Sequence, residues 1–514
     1  MHMTGDTKEF PPPRPTVGER AKRLLVPTVI LFAALAARLL YLAAFDKTSV
    51  ETLNGQYSRR IDVVSRTGLV FDRDGIWLSH TVNGAAALVD PAAVKDKNAL
   101  FDLLKPTEED AFRRKLGGST PFTLSLEKMP PGKLPEGVYA YETYEERSDG
   151  FLRHLLGARD GDGRGVSGVY GRFDDLLKSL GASVVCRYEA DASESTAFRG
   201  SVTVTDNGYG TPAGLRLTVR EDMQKALETA CADMTSGCAV VCDAETGELL
   251  ALLSRPLYDA DNVAAYLDSP RGELINRAFE TYAPGAFFGL VTAAAALEGN
   301  GSAAAFTCRC RERNGHGEVD MKKAFAASCD TFFLDLGARV GKEEIRRHAL
   351  TLGFGSRRVL GGMAMKAGVL PGDEARIAVG EGVTATPFDM LSAVIAAYTG
   401  FLPRFTLLYG IQTDGGLTRF DDQERTRLYA DETVATLRKL LRACVTEGEG
   451  RGAYIKEVYT AGLGDGTNHL FAGVFGFHGR TLAAAVLSDT GSILPEIIFR
   501  DTASLFAALP PLAS

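Results

Sequence analysis

Beyond its N-terminal tail the chain has no sustained run of basic residues, and its formal net charge is -8. Nucleic-acid binding needs a clustered cationic footprint, so that class is excluded. Cysteine is scarce, eight residues in 514, which rules out a small scaffold built on disulfides. No internal repeat is detectable. Gly163-Arg-Gly-Val-Ser-Gly168 formally matches G-x-G-x-x-G, but it follows the polar stretch Ala158-Arg-Asp-Gly-Asp162 and not a strand. A turn explains those glycines better than a phosphate loop does. Cys308, Cys310 and His316 lie close together, yet Cys-x-Cys followed by one His lacks the paired spacing of a zinc module. No metal and no cofactor is expected. Either Cys308 or Cys310 could reach Cys329, which leaves buried thiols or one disulfide open.

What is present is ordinary globular composition, 45% hydrophobic and 24% charged, in a chain long enough for two or three domains. Residues 24–45 (LLVPTVILFAALAARLLYLAAF) form an apolar run of 22 residues, enough to cross a bilayer core of about 30 Å. Arg38 is its one charge; it costs about 3 kcal/mol at mid-bilayer and can snorkel to the far interface. The tail before it carries Lys8, Arg14, Arg20, Lys22 and Arg23 against Asp6, Glu9 and Glu19. Cationic flanks stay inside, so the expectation is an uncleaved cell-membrane anchor, N-terminus cytoplasmic, with the bulk of the chain outside. A cleaved signal peptide is the rival reading, the run being long for one.

Residues 1–23, with Pro11-Pro12-Pro13 and Pro15, read as a flexible tail. Arg59 to Ile76 suggests a strand pair about the turn Asp72-Arg73-Asp74-Gly75. A second domain is expected from about residue 214: Thr218 and Glu221 have capping-box spacing before a helix from Val219 to about Met234. Two hairpins follow, one over 237–254 turning at Glu245-Thr-Gly247, the other over 470–488 turning at His478-Gly479. A closing helix spans 495–509. Asp243 and Glu245 read as solvated turn residues, and His469 and His478 as loop and turn histidines with no catalytic role. Hairpin-paired strands flanked by helices argue for an α+β domain with an antiparallel sheet.

Several segments, taken in chain order, resemble one family. Arg66-Thr-Gly-Leu-Val-Phe-Asp-Arg-Asp-Gly75 is similar to the R-G-x-I-x-D-R-N-G signature that follows the anchor in class B penicillin-binding proteins. His154-Leu-Leu-Gly157 and Gly165-Val-Ser-Gly168 resemble the later part of that family's non-catalytic pedestal, with Tyr170 where a Glu is usual. Asp243-Ala-Glu-Thr-Gly-Glu-Leu-Leu-Ala-Leu-Leu-Ser-Arg-Pro256 is similar to D-x-x-T-G-E-I-L-A-M-x-S-x-P, the entry to the transpeptidase domain. Asn276-Arg277, Tyr282-Ala-Pro-Gly285, Gly380-Glu-Gly382 and Thr386-Pro387 continue the series. The resemblance implies a cytoplasmic tail (1–23), a transmembrane anchor (24–45), a β-rich dimerisation or pedestal domain (46–213) and a penicillin-binding, serine β-lactamase-like transpeptidase domain (214–514).

The family's chemistry is attack on a D-Ala-D-Ala carbonyl by a serine whose proton goes to a lysine one helical turn on. An S-x-N motif supplies a hydroxyl and an amide, and K-T-G on an edge strand holds the substrate. Here a helix is signalled by Pro284, an apolar body from Leu290 to Leu297 and Gly299, but the nucleophile position is Ala286 and the lysine position Gly289. Losing the nucleophile alone costs on the order of a millionfold in a comparable serine enzyme. The second motif reads Ser328-Cys329-Asp330, with an acceptor in place of the amide. The third falls in Ala461-Gly-Leu-Gly-Asp-Gly-Thr467, its lysine position held by Leu463 or Gly464, beside Asp465. The expected function is therefore a catalytically inactive scaffold or regulator of peptidoglycan synthesis in division, elongation or sporulation. Its expected partners are the membrane bilayer, a membrane-embedded peptidoglycan glycosyltransferase and peptidoglycan stem peptides. The alternative is an active transpeptidase or carboxypeptidase acylated through Ser328 or Cys329, with Lys322 or Lys323 as a distant base.

Overall fold

The structure, a computed structural model, describes residues 17–45 and 58–512 apart from 107, 191–196, 198–200, 300–305, 311–314, 373–375, 421–423, 466, 468 and 490–492. Helix α1 (Val17–Phe45) carries a window, Leu24–Tyr41, long and apolar enough to cross a membrane. Its apolar side chains are exposed, Leu24 at 70% and Leu40 at 71%. That is affordable only against lipid or a partner surface. Arg38 sets its guanidinium 5.7 Å from the Tyr41 ring.

The chain divides into two compact units, the first 1–63, 85–141 and 185–205, the second 64–84, 142–184 and 206–514. In the first, Ala85–Val89 pairs antiparallel with Phe122–Leu126. Helices Lys97–Leu104 and Glu109–Gly117 set Leu100, Leu104, Phe112 and Leu116 into one small core with Ala87, Val89, Phe122 and Val138.

The second unit is built on a five-stranded antiparallel sheet whose strands are β1 (Gly237–Asp243), β2 (Leu249–Arg255), β3 (Thr460–Gly464), β4 (Leu470–Phe477) and β5 (Arg480–Ser488), in the order β2-β1-β5-β4-β3. Its principal helices are α2 (Glu221–Ala230), α3 (Gly289–Gly299), α4 (Asp330–Val340), α5 (Pro387–Thr399), α6 (Asp431–Glu447) and α7 (Pro495–Ala507). Successive strand residues face opposite ways. Ala239 and Val241 of β1, with Phe471 and Phe475 of β4, join Met223 and Leu227 of α2 and Phe499 and Phe506 of α7 in one core. Val240 and Cys242, with Ala472 and Val474, join α3 and α5 in another. Both faces are covered, which is why Gly237-Cys-Ala-Val-Val-Cys reads as a continuous apolar run instead of an alternating one. Truncating a ring such as Phe499, fully buried, costs about 3–5 kcal/mol.

Local chemistry sets the helix ends. Thr386 caps α5 reciprocally with Asp389, and Pro387 occupies the first turn. Both hairpins form as read from the sequence, and His478 (φ 44°) and Gly479 (φ 81°) make the tight turn of the second. Several expectations are corrected. Helix α2 starts at Glu221 with Arg220 as its N-cap; the Thr218 hydroxyl donates instead to the carbonyls of Leu249 and Thr406. Asp243 is fully buried, accepting from the Glu245 and Thr246 amides and from Arg480; Glu245 alone is exposed. Across the turn at 72–75 the pairing is an isolated bridge, Phe71 to Trp77, and Leu69–Phe71 runs parallel to Gly214–Leu217. Segments 64–84 and 142–184, expected with the N-terminal domain, pack with the C-terminal one. Leu155, Val169 and Tyr170 join its core, and the buried Arg73 guanidinium pairs with Glu248.

Candidate functional site

The turn that opens α3 is shaped by one close approach. Pro284 leads into a single 3-10 turn, Gly285–Phe288, before α3. Gly285 has φ 51°, and a Cβ there would stand 2.6 Å from the Asp465 carbonyl oxygen. Only glycine tolerates both. Next door, the Ala286 N–H donates to that same carbonyl at 3.0 Å. Acyl-transfer sites need such amides aimed at the oxyanion that develops on the substrate. Here the Ala286 amide is spent on the protein's own chain, at Asp465 just after β3.

Gly289, expected from the sequence at the lysine position, is closely packed as well. Gly289 is buried, and a Cβ on it would meet the Phe333 ring at 3.0 Å (Cε2 and Cζ). Phe333, 3% exposed, is held edge-on by Phe325 and Phe332 with ring centroids 5.4 and 5.5 Å away. Across the same turn, a Cβ on Gly380 would lie 2.8 Å from Phe288 Cβ, so the Gly380-Glu-Gly382 segment packs flush. The wall beside Gly289 and Gly380 is aromatic and tightly packed.

Ser328, half-buried, sits at φ 46°, a left-handed conformation uncommon for a non-glycine residue. Cys329 is fully buried and is the N-cap of α4. Asp330 opens that helix, where a negative charge is favoured by the helix dipole; this gives the Asp-for-Asn change a structural use. Leu463 points into the core and Gly464 pairs with Phe471 on edge strand β3. Asp465, 6% exposed, accepts from the Thr467 amide at 3.0 Å, the Thr467 hydroxyl at 2.5 Å and the His469 amide at 3.3 Å. Its carboxylate is therefore the organiser of its own turn.

Ser328, Gly464 and Asp465 converge on one small cleft with Cys444, Glu449, Gly450 and Glu496, which leaves about 20 Å³ of space. That is room for about one water and no peptide. Burial raises the Glu496 carboxyl above its ordinary range, and the Asp465 charge adds to the rise; burial pushes the Cys444 thiol up to about 12. Among the described residues, no cation lines the cleft. Lys322 is paired with Glu447 at 2.8 Å, and Lys323 donates to the carbonyls of His316 and Glu318, so neither stands as a base beside Ser328. Phe333, Glu449 and Glu496 carried no motif signal; only the fold brings them here.

A second group of chemically capable residues adjoins this region. The Cys310 sulfur lies 3.6 Å from that of Cys329 and 3.6 Å from His316 Nδ1. The hairpin of Thr307–Arg309 with Glu318–Asp320, extended by the bond from Cys310 N–H to the Gly317 carbonyl, is what sets His316 beside Cys310.

Comparison with known proteins agrees with this architecture. Residues 237–462 match the family described as "Penicillin binding protein transpeptidase domain". Stage V sporulation protein D of Bacillus subtilis is 26% identical over 500 residues, spanning 88% of this chain and 76% of that protein. Peptidoglycan D,D-transpeptidase MrdA of Acinetobacter baumannii is 23% identical, spanning 82% and 74%. A solved chain titled "Structural coordination of polymerization and crosslinking by a peptidoglycan synthase complex" superposes with a TM-score of 0.65 at 21% identity, covering 95% of this chain and 99% of that one; at this identity it speaks for the fold alone. Residues 237–462 are thus a penicillin-binding protein transpeptidase domain, and the fold, the ordered motifs and these relatives are similar to those of the class B penicillin-binding proteins.

Proposed function

We propose that this protein serves peptidoglycan synthesis as a catalytically inactive, membrane-anchored member of its family, a scaffold or regulator whose partner is a membrane-embedded glycosyltransferase. The observation that carries the reading is the filled site: Ala286 offers no nucleophile, Phe333 occupies the ground beside Gly289, and the Asp465 carbonyl takes the Ala286 amide. An enzyme that had lost only its serine would keep the cavity and its oriented amides; here the surrounding packing has closed too. Helix α1 supports anchoring, and the charges before it favour a cytoplasmic N-terminus with the two compact units outside.

Ser328 and Cys329 remain the groups an unusual acylation would use. Against it, Cys329 is fully buried and the cleft at Ser328 is acidic and about one water in size. The test is affinity purification of the full-length protein from membranes of its own cells after mild crosslinking. Recovery of a peptidoglycan glycosyltransferase, lost when α1 is exchanged for an unrelated membrane helix, supports the proposal. Recovery of no cell-wall synthesis protein overturns it.

A further inference from the structure

We infer that Cys310, Cys329 and His316 form a binding site for a zinc-class divalent cation. Their ligand atoms all lie within 4.8 Å of one another. A tetrahedral ion bound at about 2.3 Å to sulfur and about 2.0–2.1 Å to nitrogen sets two sulfurs about 3.8 Å apart and a sulfur and a nitrogen about 3.6 Å apart. The spacings here are 3.6 Å from sulfur to sulfur and 3.6 Å from the Cys310 sulfur to His316 Nδ1. Both match the separations of groups sharing a metal, and the third pair, Cys329 with His316, lies within 4.8 Å. Sulfurs that share a bond stand about 2.0 Å apart.

The donor set fits the ion. Two thiolates and an imidazole suit borderline-soft Zn²⁺ and are poor ligands for Mg²⁺ or Ca²⁺. The elements are arranged to keep the three atoms together. Cys329 begins α4, so its sulfur stands at the positive end of the helix dipole. The loop bearing His316 is held by Lys323, which donates to the His316 and Glu318 carbonyls from the helix Met321–Ala326. That helix is itself capped by Asp320, the last residue of the hairpin. Cys310 and His316 are half-buried while Cys329 is enclosed, so an ion can enter from solvent and a fourth, exchangeable ligand can complete the tetrahedron. The Thr331 hydroxyl is 4.0 Å from the Cys310 sulfur.

The consequence is mechanical. The metal ties the 307–320 hairpin to the Ser328–Cys329 turn and so fixes the backbone that carries the second motif position. This inference does not depend on whether the protein is catalytically silent. It escapes a sequence scan because its third ligand lies 13 residues beyond the second, on a different element.

The test uses the full-length protein purified in detergent under reducing conditions, reconstituted with Zn²⁺ and dialysed against a weak chelator, with metal measured by mass spectrometry. About one equivalent per chain is expected for the wild type. Cys310→Ser and Cys329→Ser should lose stoichiometric retention, and His316→Ala should weaken it on the order of tenfold or more. Replacing zinc by Co²⁺ should give a thiolate-to-metal charge-transfer band that falls in either cysteine variant. His316 is half-buried at a loop, so His316→Ala should fold normally by circular dichroism and keep the test decisive if a cysteine variant misfolds. Failure to hold stoichiometric metal, retention unchanged in all three variants, or a Cys310–Cys329 disulfide in protein alkylated directly from membranes would each overturn the inference.

Discussion

Replacing Gly289 with alanine separates a glycine kept by packing from one that is merely tolerated. Gly289 is the first residue of α3 and has helical angles (φ -54°, ψ -26°), so the change by itself stabilises by up to roughly 0.5–1 kcal/mol, because alanine loses less backbone freedom on folding. At this position the new Cβ meets two Phe333 ring carbons at 3.0 Å, and overpacking a filled core costs typically about 1–3 kcal/mol. With Phe333 held by Phe325 and Phe332 the steric term is the larger, so Gly289→Ala should destabilise the protein, by up to about 2.5 kcal/mol. In a Phe333→Leu background the ring is gone and the helix term alone remains, so the same change should stabilise by roughly 0.5–1 kcal/mol. The cycle therefore has a coupling of about 1–3 kcal/mol, well above the scatter of independent sites. Chemical unfolding of the full-length protein in detergent, followed by far-UV circular dichroism, reads all four variants. Equal effects of Gly289→Ala in the two backgrounds would refute the claim that Phe333 occupies the lysine ground.

Other outcomes follow from single contacts. Glu248→Ala strips the carboxylate from the buried Arg73 guanidinium and should destabilise by about 3–5 kcal/mol in the same unfolding assay. Asp389→Ala removes both the capping box of α5 and the 2.6 Å ion pair with Arg358, so it should cost more than the ~1 kcal/mol of a cap alone. Burial holds His80, His154 and His348 down at about 4, whereas the unfolded chain titrates near 6.5, at about the model-peptide value. Between these the unfolded state binds more protons. Stability is thus fully present above about pH 6.5 and is lost as pH falls toward 4, at up to about 1.4 kcal/mol per unit per histidine. His348→Phe, which keeps a ring against Tyr429, should flatten that slope by about a third in melts run from about pH 7 to pH 5.

How much of this was legible in the sequence differs by kind of signal. The hairpins at 237–254 and 470–488 were readable because turn residues punctuate apolar runs, and α3 because Pro284 and Gly299 bracket one. The anchor was readable from its length alone. The capping reading of Thr218 failed because a hydroxyl in a buried crossing found two carbonyls, Leu249 and Thr406, brought from elsewhere in the chain. Asp243 was misread as solvated because its partner, Arg480, arrives from the last hairpin. At the site, the motif resemblance raised the expectation that Ala286 and Gly289 stand where a serine and a lysine would. It could not show what fills the space, since Phe333 is simply another apolar residue of α4 until the fold packs it on Gly289. The sequence linked Cys310 to Cys329 and, separately, to His316; the fold brings the three sets of ligand atoms together.

The most direct measurement is covalent labelling of the full-length wild-type protein with a fluorescent penicillin, beside an Ala286→Ser/Gly289→Lys variant. The wild type should take no covalent label. The variant should also fail, because Phe333 and the Asp465 carbonyl still hold the site closed. A stoichiometric, heat-stable label on the wild type, mapped by mass spectrometry to Ser328, Cys329 or any other side chain, would contradict catalytic silence and identify the nucleophile.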